Sequence, residues 1–336
     1  TSECEYTRKS AVGMGYMSMQ ALGENIFLSL VVPCYNEEKN IQAFYEQAKK
    51  EFADINFEIV FINDGSSDDT ENELKQVILN EKEIPITVVN FSRNYGKESA
   101  IFAGLQRSVG IYTAIVDADL QQPLQLVKEM LTVLEEGADY DVVAAYQEKR
   151  HERKIVSMLK HQFYKIINRI GEVDFYQGAS DFRVFRENVK EAILELTENN
   201  RFSKGIFSWV GFRTCYIPYE ASLRNAGESS WSVRKLFSYA ANGIIAFSTI
   251  PLRIATFMGI FVSTIAFLYM IFVIAQKVIW GIDIPGYATL LVLILLMGGT
   301  QSIFLGILGE YIAKIHIEVK DRPIYIVKSQ ESNIKE

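Results

Sequence analysis

The sequence lacks a net positive charge: 34 Lys and Arg stand against 41 Asp and Glu, a formal charge of −7. A nucleic-acid binder favours a basic face, so no nucleic-acid partner is expected. The sequence also lacks a cysteine framework. Cys4, Cys34 and Cys215 are odd in number and far apart, with no zinc spacing. That fits a reducing, cytosolic setting. No apolar segment opens the sequence. Residues 1–25 are polar and rich in Gly and Met, and read as a disordered or tag-like lead rather than a signal peptide. The first strand candidate is not followed by Gly-x-Gly-x-x-Gly, which speaks against a dinucleotide oxidoreductase. Finally, two stretches lack charge altogether, between Arg253 and Lys277 and between Asp283 and Glu310. As helices, both are long enough to cross a hydrocarbon core of about 30 Å; a buried hairpin of a soluble protein is the competing reading, and length disfavours it.

What is present in the first half is an alternation of short apolar runs with amphipathic ones. Ile26–Pro33, Phe57–Ile62, Ile86–Phe91, Tyr112–Val116 and Val142–Tyr146 read as strands. Between them, Glu38–Phe52, a helix to about Asn80, one to about Val109 and Leu124–Glu136 carry apolar residues at helical spacing. Ser or Asp in Ser66–Asp69 is placed to cap the helix that follows. This alternation requires crossover connections and hence a mostly parallel sheet.

Acids fall at three strand ends: Glu37, Asp64, and Asp117 with Asp119. In a parallel sheet these ends share one edge, where ligands bind. Two carboxylates one residue apart, with the amide oxygen of Gln121, suit Mg²⁺ or Mn²⁺ held on a diphosphate; a solvated acidic loop is the bland reading of the same residues.

Further on, Lys149–Arg169 combines Lys and Arg with an apolar helical stripe, as on an anionic membrane surface or on a solvated face packed against the sheet. Asp181 and Arg183 lie two apart in an extended segment and so share a face. Arg201, Lys204 and Arg224 add cations near turn-forming glycines, suited to a diphosphate leaving group or to plain surface loops. Val233, Leu236, Phe237, Ala240, Ile244 and Ile245 recur at three and four residues, an interfacial helix over 231–249. Lys and Arg cluster before the first apolar run and after the second, while the tip carries Lys277. The positive-inside rule then puts both long ends on the cytoplasmic side.

Taken together, Val32–Glu37, Asn63–Asp68, Arg93–Lys97, Asp117–Gln121, Ser180–Arg183, the Arg201 to Phe212 block and Arg224 to Ser229 resemble family 2 glycosyltransferases of the GT-A fold. Within that family the sequence is most similar to polyprenyl-phosphate glycosyltransferases, above all bactoprenol (undecaprenyl-phosphate) glucosyltransferases, and more distantly to dolichol-phosphate mannose synthases. The resemblance spans about Ser29 to Arg322.

It implies an α/β protein with a Rossmann-like, mostly parallel GT-A domain over 26–230 and a two-helix transmembrane hairpin within 250–314, at about 253–276 and 286–310. A cytoplasmic tail over 315–336 would follow. The expected site has Pro33, Tyr35, Glu37 and Asp64 on the nucleotide, with Lys97, Asp117, Arg183 and Arg224 among the sugar-nucleotide contacts. Asp117, Asp119 and Gln121 hold the metal, Mg²⁺ or Mn²⁺, and Asp181, Asp119 and Arg201 serve catalysis. Relatives often carry a Lys where this chain has Ser230, so Arg224 or Lys235 must take its place.

The reaction implied is inverting transfer of a hexose, glucose first and N-acetylglucosamine next, from a UDP-sugar to polyprenyl phosphate at the cytoplasmic membrane. Asp181 is either a base or an orienting group. A processive synthase is disfavoured because Gln-x-x-Arg-Trp is absent, and a non-catalytic scaffold because Asp117, Asp119 and Asp181 are intact. Members of the family often assemble, so a homo-oligomer is compatible with the sequence.

Overall fold

The computed structural model describes residues 25–136, 139–147, 176, 179–199, 201–220, 250–280 and 286–333. The chain divides into two units. One holds the sheet and takes back the C-terminal segment from Pro323; the other holds Arg234–Arg322.

The sheet has eight strands among the described residues, in the order β7-β5-β6-β4-β1-β2-β3-β8. The strands are β1 (Leu28–Cys34), β2 (Phe57–Asn63), β3 (Ile86–Phe91), β4 (Tyr112–Ile115), β5 (Val142–Gln147), β6 (Ala179–Arg186), β7 (Thr214–Tyr219) and β8 (Val327–Ser332). Helices α1 (Ile41–Glu51), α2 (Thr70–Asn80), α3 (Lys97–Arg107) and α4 (Gln125–Glu136) fill the crossovers. Two shorter ones, α5 (Glu187–Glu195) and α6 (Ser203–Trp209), follow β6. β4, β1, β2 and β3 run parallel, as the alternation of strands and helices predicts. β6 then enters antiparallel to both β4 and β5, and β8 runs antiparallel to β3. This is the mostly parallel, mixed sheet of the GT-A fold.

Every residue of β2 is buried, and β1 is buried at all but Pro33. Strands covered on both faces read as continuous apolar runs, which is why these were legible. Phe44 of α1 meets Phe61 of β2 edge-on at 5.9 Å, and both are fully buried. Each such side chain contributes roughly 1.5–3 kcal/mol through burial. The N-cap of α2, Asp69, makes no side-chain cap bond; Asp68 just before it serves the helix start instead, its Oδ1 accepting the Thr70 N–H at 3.1 Å.

The second unit contains α7 (Ile250–Trp280) and α8 (Tyr287–Val319). α7 covers the first charge-free stretch and runs beyond it; α8 begins within the second and runs past its end. Among the described residues, Leu252–Gln276 is long and apolar enough to cross a membrane. Phe257, Phe261 and Leu268 on α7, and Ile303 and Leu305 on α8, are exposed. Lys149–Arg169 and the interfacial helix expected over 231–249 lie outside the described residues. Residues 327–332, expected within a tail, instead form β8 on the sheet edge.

Candidate active site

Three parallel strands deliver their ends to one crevice. Cys34 of β1 pairs with Asn63 of β2, so the residues that follow, Tyr35 and Asp64, emerge side by side. The crevice has a volume of about 280 Å³. Pro33, Tyr35, Glu37 and Asp64 line it from β1 and β2; Asp117 and Asp119 line it from β4; Asn94, Gly96 and Lys97 come from the loop after β3 and the start of α3. Pro33, Tyr35, Glu37, Asp64 and Lys97, expected on the nucleotide side, thus meet Asp117 and Asp119 in one place.

The backbone there is shaped for the purpose. Leu120, directly after Asp119, has φ 58°, and Asn36 has φ 56°. Non-glycine residues in this region store of order 1 kcal/mol or more of strain, which clusters at functional sites. Gly65 has φ 63°, and a Cβ on it would lie 2.3 Å from the carbonyl carbon of Arg93. The β2 loop and the β3 loop therefore touch backbone to backbone, which admits glycine alone. Asp64 fixes the same loop, accepting the N–H of Tyr95 at 2.6 Å and of Gly96 at 2.9 Å. Burial raises the Asp64 carboxyl despite these donors.

Asp181 joins the cluster through strand pairing. β6 is antiparallel to β4, with Ile115 opposite Arg183. Continuing that register by two residues sets Asp117 opposite Asp181. Lys97 closes the gap: its Nζ lies 2.6 Å from Asp117 Oδ1 and 3.4 Å from Asp181 Oδ2. Desolvation alone pulls the Lys97 ammonium down, but Asp117 and Asp181 outweigh it and raise it above the usual lysine range. Burial pushes the Asp181 carboxyl up; Lys97, Lys204 and Arg183 outweigh that and hold it below the usual carboxylate range. The other oxygen, Asp181 Oδ1, is buried with no hydrogen-bond partner among the described residues. An ionised carboxylate with one buried, unused oxygen is costly unless a ligand donates to it.

Other expected residues sit differently. Gln121 meets Asp119 through its backbone N–H, at 3.1 Å. The neighbouring Gln122 holds Asp117, donating from Nε2 to Oδ2 at 3.0 Å and accepting the Asp117 N–H at 2.9 Å. Arg183 is buried, bonds the Ser180 carbonyl at 2.7 Å and lies over the Phe207 ring at 3.9 Å. Arg201 bonds the Leu196 carbonyl and packs on Phe102, 4.2 Å from the ring centre. Neither arginine lines the crevice. Arg224, Ser230 and Lys235 lie outside the described residues.

Two supports were not foreseen. One is Gln122. The other is Glu98, whose carboxylate accepts the Ser203 N–H at 2.8 Å and the Ser203 hydroxyl, tying α3 to α6. A contact spanning 105 residues leaves no local pattern to read.

The edge of the sheet brings Asp117, Asp119 and Asp181 together beside Lys97, the first residue of α3, a set of acids and a cation suited to group transfer. The chain belongs to glycosyl transferase family 2: the family model of that description matches residues 29–194, and relatives extend the match over most of the chain. The Bacillus subtilis (strain 168) glycosyltransferase CsbB is 41% identical over 309 residues, 91% of this chain and 92% of that protein. A prophage-derived bactoprenol glucosyl transferase of Shigella flexneri is 41% identical over 304 residues, 90% of this chain and 97% of that one. A prophage bactoprenol glucosyl transferase homolog of Escherichia coli K12 is 40% identical, covering 90% and 98%. This protein is a glycosyltransferase.

Proposed function

We propose that the enzyme transfers a hexose, glucose first, from a UDP-sugar to polyprenyl (undecaprenyl) phosphate at the cytoplasmic face of the membrane, with inversion. The observation that carries this reading is the crevice itself, where Asp117, Asp119 and Lys97 converge beside Tyr35 and Asp64, with Asp181 held against Lys97. Relatives named as bactoprenol glucosyl transferases support the lipid acceptor and the glucose.

The residues present fit Mg²⁺ or Mn²⁺ held jointly with a diphosphate. Among the described residues no group of three or more His, Cys, Asp or Glu could hold a metal alone. Mg²⁺-type sites typically use one or two carboxylates and complete their shell with phosphate oxygens and water. Asp117 and Asp119 would hold the ion, with Gln121 as the proposed amide ligand, and the bound ion would neutralise charge on the leaving UDP. Gln122 holds the Asp117 carboxylate in place. Asp64 fixes the loop that flanks the nucleotide. Asp181, ionised, offers Oδ1 to a sugar hydroxyl. Arg201 and Arg224 are the proposed cations for the leaving diphosphate, Arg201 by moving off Phe102 and the Leu196 carbonyl.

Both helices of the second unit are proposed to span the membrane. The sheet unit contains β7, before α7, and β8, after α8. A chain that leaves one compartment and returns to the same sheet must cross an even number of times. Exposed apolar side chains along α7 and α8 support lipid contact.

Titrating UDP and GDP into the purified protein with and without Mn²⁺ tests the site. UDP binding that requires Mn²⁺ and is lost in Asp119→Asn is expected. Metal-independent binding, or preference for GDP, would contradict the reading.

A further inference from the structure

The segment after α8 packs at one end on the strand and loop that lead into the crevice, and nothing in the proposed reaction uses it. Asp321 turns the chain with φ 46°, and Tyr325 through Asn333 then run along the outer edge of β3. At the first end, the Ile326 carbonyl accepts the Ser92 N–H at 3.0 Å. The Tyr325 ring stacks on Phe91, centroids 4.7 Å apart and planes 19° from parallel. Phe91 meets Tyr95 edge-on at 5.8 Å, and the Tyr95 N–H is the one that Asp64 accepts. The Tyr325 hydroxyl donates to Gln106 Oε1 of α3 at 2.6 Å. Tyr325 thus grips both the strand that ends in the 92–97 loop and the helix that begins with Lys97. Asn94, Gly96 and Lys97 of that loop line the crevice.

The far end is anchored separately. Asn333 accepts the Ile86 N–H at 2.8 Å and donates to the carbonyls of Glu81 and Ile84, at the opposite end of β3. Covering a sheet edge explains a strand there, since an open edge invites aggregation. It does not explain an aromatic stack and a carbonyl aimed at the loop beside Asp64.

We infer that Tyr325 is a positioning residue for the donor nucleotide: the strap that follows α8 holds the Ser92–Lys97 loop in its binding geometry through Phe91 and Tyr95. The inference rests on the crevice being the UDP site. The geometry makes donor affinity depend on the segment that directly follows the second apolar helix.

The test uses the full chain in detergent, UDP with Mn²⁺ by calorimetry, and steady-state transfer from UDP-glucose to undecaprenyl phosphate. Tyr325→Leu should weaken UDP binding and raise the donor KM by roughly three- to tenfold, the worth of one aromatic pair, with kcat at saturating donor nearly unchanged. Tyr325→Phe keeps the stack and should bind UDP within about twofold of wild type. Phe91→Leu breaks the same stack from the other side and should match Tyr325→Leu, which keeps the test open if that variant does not fold. Asn333→Ala should lower the melting temperature and leave UDP affinity alone. Wild-type affinity in folded Tyr325→Leu or Phe91→Leu would overturn the inference, as would an equal affinity loss in Asn333→Ala. Wild-type protein that binds no UDP would sink the nucleotide reading beneath it.

Discussion

Asp181 keeps one oxygen near Lys97 and buries the other without a partner among the described residues, and Lys97, Lys204 and Arg183 hold it ionised. A phosphate acceptor has a second pKa of about 6 and is largely ionised at neutral pH, so it needs little help from a base. Asp181 is therefore assigned an orienting task. Asp181→Asn should lower kcat roughly ten- to a hundredfold while the pH–rate profile keeps its wild-type shape; loss of the acidic limb would restore the base. Glu81 makes a second residue-scale prediction. Burial pushes its carboxyl up, but Lys49, the Tyr45 hydroxyl and the N–H groups of Glu83 and Ile84 outweigh that and pull it down to about 2. A depressed carboxylate stabilises the fold above its unfolded pKa, and that contribution fades as pH falls through the folded value. Glu81→Gln should thus cost about 2–3 kcal/mol at pH 7 in denaturant unfolding, with the gap from wild type closing between about pH 4.5 and pH 2. A gap independent of pH would contradict the assignment.

At the scale of elements, the loop after β2 and the loop after β3 depend on one another. Gly65→Ala forces a Cβ to within 2.3 Å of the Arg93 carbonyl carbon at φ 63°. The expected result is destabilisation by roughly 2 kcal/mol or more in thermal unfolding, together with loss of UDP binding, since Asp64 and Tyr95 move apart. A folded variant with intact UDP affinity would show that the two loops are independent. The strands that can be read from sequence are β1 to β5, because each is an apolar, largely buried run. The edge strands cannot. β7 contains Pro218, tolerated because an edge strand need not donate at every residue. β8, with Val327 followed by Lys, Ser, Gln, Glu and Ser, is largely exposed and carries no apolar alternation to signal a strand. β6 was legible as an extended segment bearing Asp181 and Arg183, but its insertion between β4 and β5 is a tertiary choice. That insertion is what sets Asp181 opposite Asp117.

The whole molecule leaves its sheet unit after β7, runs through two long helices and comes back as β8. The charge pattern predicts a cytoplasmic return; it carries no sign that the returning chain completes the sheet. A truncation after Asn225 would therefore remove β8 along with the helices and confound anchoring with folding. Topology is better tested by single-cysteine labelling in a background without the native cysteines. Ile282→Cys, between the helices, should react with a membrane-impermeant maleimide from outside intact cells, and Ser332→Cys on β8 should react only after lysis. The reverse pattern, or labelling of both from one side, would contradict a two-span hairpin. Purified protein given labelled UDP-glucose, undecaprenyl phosphate and Mn²⁺ tests the transfer itself. Labelled glycolipid should form with one UDP released per sugar transferred, and formation should cease on chelation or in Asp119→Asn. UDP-glucose that binds but yields no lipid-linked sugar, or transfer that persists without a divalent ion, would contradict the account.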